Sequence, residues 1–305
     1  MVLHPEAQAL LSKYADAGAL PLHKMGVINV REAVRKSRKH AGDREDVASV
    51  LDLEIPSAAG RLPARVYHPD PSAKLPLLVY FHGGGWISGS VDVSDRPCRQ
   101  LANTARCVVA SVEYRLSPET QCPAALDDAY VATCWFAEHR VELGARSDVL
   151  IIAGDSAGGT IAASTTLMLR DRSGPPATAQ VLLYPALSPD FGGISGDRTA
   201  GTEFGLSRAD MDFFWGSYLS NPLEPDRYAA PLLALDLTGL PPTLLITAEH
   251  DVLRDEGKAY AKRLGQAGVA VTTIDAVGMI HGFFGQFGAV PSARQYLEVI
   301  ARFLR

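Results

Sequence analysis

Asp148-Val-Leu-Ile-Ile-Ala-Gly-Asp-Ser-Ala-Gly-Gly159 is the stretch on which the reading of this chain turns. Val149 to Ala153 is an unbroken, β-branched-rich apolar run, as expected of a strand buried on both faces. Gly154-Asp-Ser-Ala-Gly158 follows without a spacer, and residues 160–170, rich in Ala and Leu, read as a helix. Strand, Gly-x-Ser-x-Gly turn and helix together form a nucleophile elbow. In it the serine is held in a strained conformation at the strand tip, beside the positive end of the next helix. The motif gains weight only with an oxyanion-accepting loop upstream and an acid and a histidine downstream, in that order.

The upstream loop is present. Residues 75–81, Leu77-Leu-Val-Tyr-Phe81 above all, read as a central strand that runs directly into His82-Gly-Gly-Gly-Trp86. Glycines there contribute no packing; they let backbone N–H groups turn towards an incoming oxygen. His82 has no second metal ligand at a sensible spacing, so ordering of the glycine loop by hydrogen bonds is its expected role. Downstream, residues 242–247 read as another strand, with Asp251 just past its end, and residues 269–277 as the last strand, followed by Gly278-Met-Ile-His281-Gly. Ser156 as nucleophile, Asp251 as orienter and His281 as base therefore occur in the chain order of α/β-hydrolases. Glu249 competes for the acid role. Asp255 and Glu256 open the following helix, where capping and the helix dipole explain them.

Between these landmarks, residues 47–55 and 62–67 read as an antiparallel edge pair, and 107–114 and 179–183 as strands. Helices are expected over 5–18, 30–38, 124–139, 255–265 and 292–304. Strands alternating with helices give a doubly wound, mostly parallel α/β sheet. Residues 188–202 are glycine-rich, and residues 207–219 form an aromatic helix capped by Ser207. Its place between sheet strands favours a lid over the site, and Phe213, Phe214 and Trp86 are the expected pocket residues, their rings shortening the acyl pocket.

These motifs resemble the bacterial hormone-sensitive-lipase-like carboxylesterases. The resemblance rests on His82-Gly-Gly-Gly-Trp86, Glu113-Tyr-Arg-Leu-Ser-Pro-Glu119, Gly154-Asp-Ser-Ala-Gly-Gly159, Ala248-Glu-His-Asp-Val-Leu-Arg-Asp-Glu-Gly257 and His281-Gly-Phe283. Ser117 stands where the family often has Ala. The resemblance implies an α/β-hydrolase core (46–187 and 231–305) under a helical cap built from residues 1–45 and 188–230. It also implies oxyanion donors from the N–H groups of Gly84, Gly85 and Ala157. The expected activity is serine carboxylesterase action on short-acyl esters through an acyl-enzyme, with no cofactor and no metal. Two alternatives stay open: amide or formamide hydrolysis on the same machinery, and a non-catalytic receptor of the gibberellin-receptor type, which His281 disfavours.

Composition narrows the partners. The chain has 305 residues, 47% hydrophobic and 21% charged, with a net charge of −5 and a pI near 5.9. It lacks the basic footprint of a nucleic-acid binder. The basic run from Arg31 to His40 reads as a solvated helix end. No run reaches the ~18 apolar residues of a membrane helix, and residues 1–6 lack signal-peptide character. Four cysteines without Cys-x-x-Cys spacing suit reduced thiols in the cytoplasm. The expected partner is a small-molecule ester, without nucleic acid or stable membrane association; a homodimer is left open.

Overall fold

A computed structural model describes residues 2–189, 204–223 and 225–305. The glycine-rich stretch noted above therefore lies almost entirely outside the described residues. The strands are β1 (Ser49–Ser57), β2 (Gly60–His68), β3 (Leu75–Phe81), β4 (Val108–Val112), β5 (Ala145–Asp155), β6 (Ala179–Leu183), β7 (Thr243–His250) and β8 (Val271–Ile280). They form one 8-stranded sheet in the order β1-β2-β4-β3-β5-β6-β7-β8. β1 and β2 pair antiparallel, as do β2 and β4, and every other pairing is parallel. The helices are α1 (Pro5–Asp16), α2 (Leu22–Ser37), α3 (Asp95–Ala105), α4 (Ala124–His139), α5 (Ala157–Asp171), α6 (Arg208–Tyr218), α7 (Arg254–Gln266) and α8 (Gln295–Phe303).

Strand alternation distributes the core over two layers. Leu77, Val79 and Phe81 of β3 pack on one side with residues of α4, α5 and α7, while Leu78 and Tyr80 pack on the other with residues of α1, α3 and α8. Both faces of the central strands are thus covered, which is why β3 and β5 read as continuous apolar runs. The helix α3 is not evident in the sequence. Pro97 sits in its first turn, where a missing N–H costs nothing, and it buries the polar Arg99 and Gln100 beside Cys98 and Leu101.

The chain leaves β3 for β4 on one side and returns to β5 on the other, so β3 and β5 flank a point where strand order reverses. Phe81 pairs with Gly154 at their carboxyl ends. The glycine loop and the elbow therefore emerge side by side, where open α/β sheets place their sites.

Above these ends, α2 breaks at Gly26, whose φ is 71°, and lies against α6. Asp210 joins the two. Its Oδ2 accepts from the N–H (2.9 Å) and hydroxyl (2.6 Å) of Ser207, which completes the capping box of α6. Its Oδ1 accepts from the backbone N–H and ring Nδ1 of His23, each at 2.8 Å. Burial pushes the Asp210 carboxyl up, but the bonds from Ser207 and His23 hold it below the ordinary carboxylate range. No helix among the described residues is long and apolar enough to cross a membrane.

Glu256, on the first turn of α7, points into the core instead of out to solvent. Its Oε1 accepts from Leu187 N–H at 2.9 Å, just past β6, and the backbone N–H of Ser188 also faces this buried carboxyl. Burial raises its carboxyl well above the ordinary value; the Leu187 bond opposes this and the nearby Asp251 charge adds to it. The folded chain thus binds this proton more tightly than the unfolded chain. The contribution is fully present below the unfolded value of ~4.3 and is lost as pH rises towards the folded value. Glu256→Gln keeps the shape and has no proton to lose. Its melting temperature relative to the parent should therefore climb between pH 5 and pH 8, and an offset constant across that range would contradict the assignment.

Candidate active site

The elbow forms because α5 approaches the end of β3 more closely than side chains would allow. A Cβ at Gly158 would lie 2.0 Å from the Phe81 carbonyl oxygen, and one at Gly154 would lie 2.1 Å from that of Gly158. Ser156 turns the chain between β5 and α5 with φ 54° and ψ −121°, a conformation that costs a non-glycine residue of order 1–3 kcal/mol. Its N–H donates to Leu183 O at 2.9 Å, which anchors the turn to the next strand.

Asp251 and His281 arrive from the ends of β7 and β8. Asp251 Oδ1 accepts from Leu253 N–H at 2.9 Å and Oδ2 faces His281 Nδ1 at 2.7 Å. His281 Nε2 lies 2.8 Å from Ser156 Oγ. An ionised carboxylate only accepts, so the ring proton sits on Nδ1 and Nε2 is left to accept from the serine hydroxyl. The Asp251 side chain is fully buried and that of His281 is 14% exposed, so water competes little for either bond. The Tyr184 ring meets the imidazole edge-on at 4.8 Å, and its hydroxyl donates to Phe284 O at 3.1 Å. The competing acids are engaged elsewhere: Glu249 Oε2 accepts from Gly278 N–H at 2.7 Å, and Asp255 lies in the first turn of α7.

The glycine loop is held peptide by peptide. Gly83 N–H donates to Asp155 Oδ1 at 2.8 Å. Gly83 O accepts from His82 Nδ1 at 2.8 Å. Gly84 O accepts from the Ser88 hydroxyl at 2.7 Å and from the Ser88 N–H at 3.0 Å. A trans peptide is planar with C=O and N–H opposed. Fixing the carbonyls of Gly83 and Gly84 therefore fixes where the N–H groups of Gly84 and Gly85 point. Those two N–H groups and that of Ala157, the first residue of α5, donate to no acceptor among the described residues. All three residues line the same cavity as Ser156 and His281, so they can receive a developing oxyanion.

That cavity measures about 230 Å³, below the roughly 300–1,000 Å³ typical of sites for drug-sized ligands. Leu22, Val30 and Val34 from α2 and Met211 and Phe214 from α6 supply an apolar wall. The Phe214 ring lies so near the loop that a Cβ at Gly85 would come within 2.4 Å of it. Trp86 borders the cavity but is fully buried, stacked on Tyr218 at 4.5 Å and against Trp215 at 4.4 Å. Phe213 is not on the cavity wall; it packs beside Phe214 at 5.6 Å. The basic run is not simply a solvated helix end. Arg31 donates to Ile87 O at 2.7 Å and Ser117 O at 3.0 Å and pairs with Glu119, while Arg38 reaches the cavity mouth. Sequence reasoning missed Asp155 and Tyr80. The available signal was a carboxylate inside the elbow itself, directly before the serine.

A family described as having the alpha/beta hydrolase fold matches residues 78–285. The chain is 42% identical over 246 residues to the carboxylic ester hydrolase LipN of Mycobacterium tuberculosis, covering 78% of this chain and 65% of that protein. It is 38% identical over 299 residues to the esterase LipI of the same organism, covering 95% and 92%. The solved structure of a hyperthermophilic esterase from the archaeon Pyrobaculum calidifontis superposes with a TM-score of 0.91 at 40% identity, covering 100% of this chain and 98% of that one. The chain belongs to the hormone-sensitive-lipase-like carboxylesterases of the α/β-hydrolase fold.

Proposed function

We propose that the chain hydrolyses small carboxylic esters with short acyl groups, using Ser156 as nucleophile. The observation that carries this reading is the continuous relay from Ser156 Oγ through the His281 ring to the buried Asp251 carboxylate. Ser156 Oγ attacks the carbonyl carbon as His281 Nε2 takes its proton. The tetrahedral oxyanion is received by the N–H groups of Gly84, Gly85 and Ala157, at the positive end of α5. His281 then gives the proton to the departing alkoxide, leaving an acyl-enzyme. Water, deprotonated by His281, attacks that acyl group and the acid is released. Asp251 keeps the imidazole in the Nδ1–H tautomer and balances its charge when doubly protonated.

Ester hydrolysis is favoured over amide hydrolysis by the relatives, which are named as esterases, and a purely binding role is disfavoured by the presence of His281. The small cavity and the Phe214 ring support short acyl groups. The four free cysteines suit a cytoplasmic setting.

Ser156→Ala should leave the melting temperature near that of the parent and abolish covalent labelling by an organophosphate; surviving label would move the nucleophile elsewhere. Asp251→Asn should lower kcat by roughly 10⁴-fold, because an amide neither holds the right tautomer nor balances the imidazolium. Glu249→Gln should cost far less, and the reverse ranking would reassign the acid. Phe214→Ala should raise kcat/KM for an octanoate ester over a butyrate ester about tenfold or more, what even one newly accommodated methylene contributes. An unchanged ratio would show that this ring does not limit acyl length.

A further inference from the structure

We propose that Asp155 is a positioning residue that sets the glycine loop in register with the nucleophile, an inference that rests on reading this loop as the oxyanion acceptor. Three observations carry it. Asp155 Oδ1 accepts from Gly83 N–H at 2.8 Å and from the Tyr80 hydroxyl at 2.7 Å. Its Oδ2 lies against the Gly83 backbone, 2.5 Å from where a Cβ at that position would stand. Asp155 is also covalently next to Ser156, so whatever aligns its carboxylate aligns the loop with the attacking oxygen.

Ser156 and the glycine loop are about seventy residues apart in sequence and share no covalent framework. Tyr80 belongs to β3, whose backbone is paired on both sides by β4 and β5. The triangle of Tyr80, Asp155 and Gly83 therefore ties the ends of two rigid strands to the first peptide of the loop. His82 and Ser88 then fix the next two carbonyls. Without Asp155 the Gly83 N–H has no other acceptor among the described residues; the Tyr114 hydroxyl, which donates to His82 O at 2.7 Å, would then hold that peptide from its carbonyl side alone, and the cost of a buried, unpaired N–H favours its rotation. Rotation there would swing the N–H groups that follow away from the oxyanion while leaving Ser156, His281 and Asp251 bonded as before.

The test compares an ester with its thionoester of the same acyl and alcohol groups. Sulfur accepts hydrogen bonds weakly and its bond to carbon is longer, so the thionoester draws less on the N–H donors while using the same nucleophile and base. In Asp155→Leu, kcat for the ester should fall about 10- to 100-fold, within the range for loss of an oxyanion donor, with KM within threefold. The thionoester kcat should fall less than threefold. Asp155→Asn, whose amide oxygen can still accept from both donors, should keep the ester preference. Equal losses on both substrates would place the effect on Ser156 or the overall fold and overturn the proposal, as would an unchanged ester rate. Should Asp155→Leu fail to fold, Tyr80→Phe should still lower the ester-to-thionoester ratio about three- to tenfold, and an unchanged ratio there overturns it equally. A parent enzyme with no ester preference would instead sink the oxyanion reading itself, which separates the two failures.

Discussion

Everything at this site depends on how closely α5 can approach the end of β3. The contact is backbone against backbone: Gly158 faces the Phe81 carbonyl, and Gly154 faces Gly158, with no side chain between them. Only glycine, with no Cβ, lets a helix start this hard against a strand. The approach brings the first N–H groups of α5 beside the loop that leaves β3, so two segments distant in sequence line one cavity. An alanine at Gly158 would have to move backbone, since its Cβ would stand 2.0 Å from the Phe81 oxygen. The strained Ser156 backbone is the conformational cost of that approach, and the sheet on either side holds it in place through the bond from Ser156 N–H to Leu183 O.

Four of the buried or half-buried carboxylates then help place the loops that surround this contact, each by accepting from backbone N–H groups. Asp251 receives Leu253, Glu256 receives Leu187, Asp155 receives Gly83 and Asp210 receives both Ser207 and His23. Loops leaving a sheet have N–H groups that neither strand nor helix can satisfy, and an acid accepts several at once. The four differ in how well they are compensated. Asp210, with four donors, is held as an anion despite its burial. Glu256, fully buried and met only by backbone N–H groups, is pushed towards its neutral form. Carboxylates thus differ in this fold: the donors at Asp210 hold its charge, while burial at Glu256 disfavours it.

What could be read from the sequence follows from this division. That Ser156, Asp251 and His281 come together was legible because each stands in a loop directly after an apolar strand, and one-dimensional order suffices to place strand ends. The sheet was legible because β3, β5, β6 and β7 are apolar on both faces. Pocket residues were harder. Adjacent residues on a helix point about 100° apart, so Phe213 and Phe214 cannot both face one cavity, and the aromatic stripe does not say which does until the packing of α6 is known. The helix α3 was hidden because it buries Arg99 and Gln100, which breaks the apolar pattern. Arg31 could not be placed because its partners, Ile87 and Ser117, lie 56 and 86 residues away.

The helices α2 and α6 and the glycine loop are mechanically one unit. Phe214 of α6 rests on Gly85, Trp86 is clasped by Trp215 and Tyr218, and Arg31 of α2 holds the carbonyl of Ile87. Asp210 joins α2 to α6 in turn. The apolar wall of the cavity therefore sits directly on the peptides that would face the carbonyl oxygen in the proposed reaction. A substrate too large for the apolar wall would press on Phe214 and, through it, on Gly85. Displacement of an ångström at that glycine matters more than the lost apolar contact, because donor alignment enters the transition state while acyl burial is shared with the ground state. Acyl-length selectivity in this architecture should therefore be expressed in kcat at least as much as in KM.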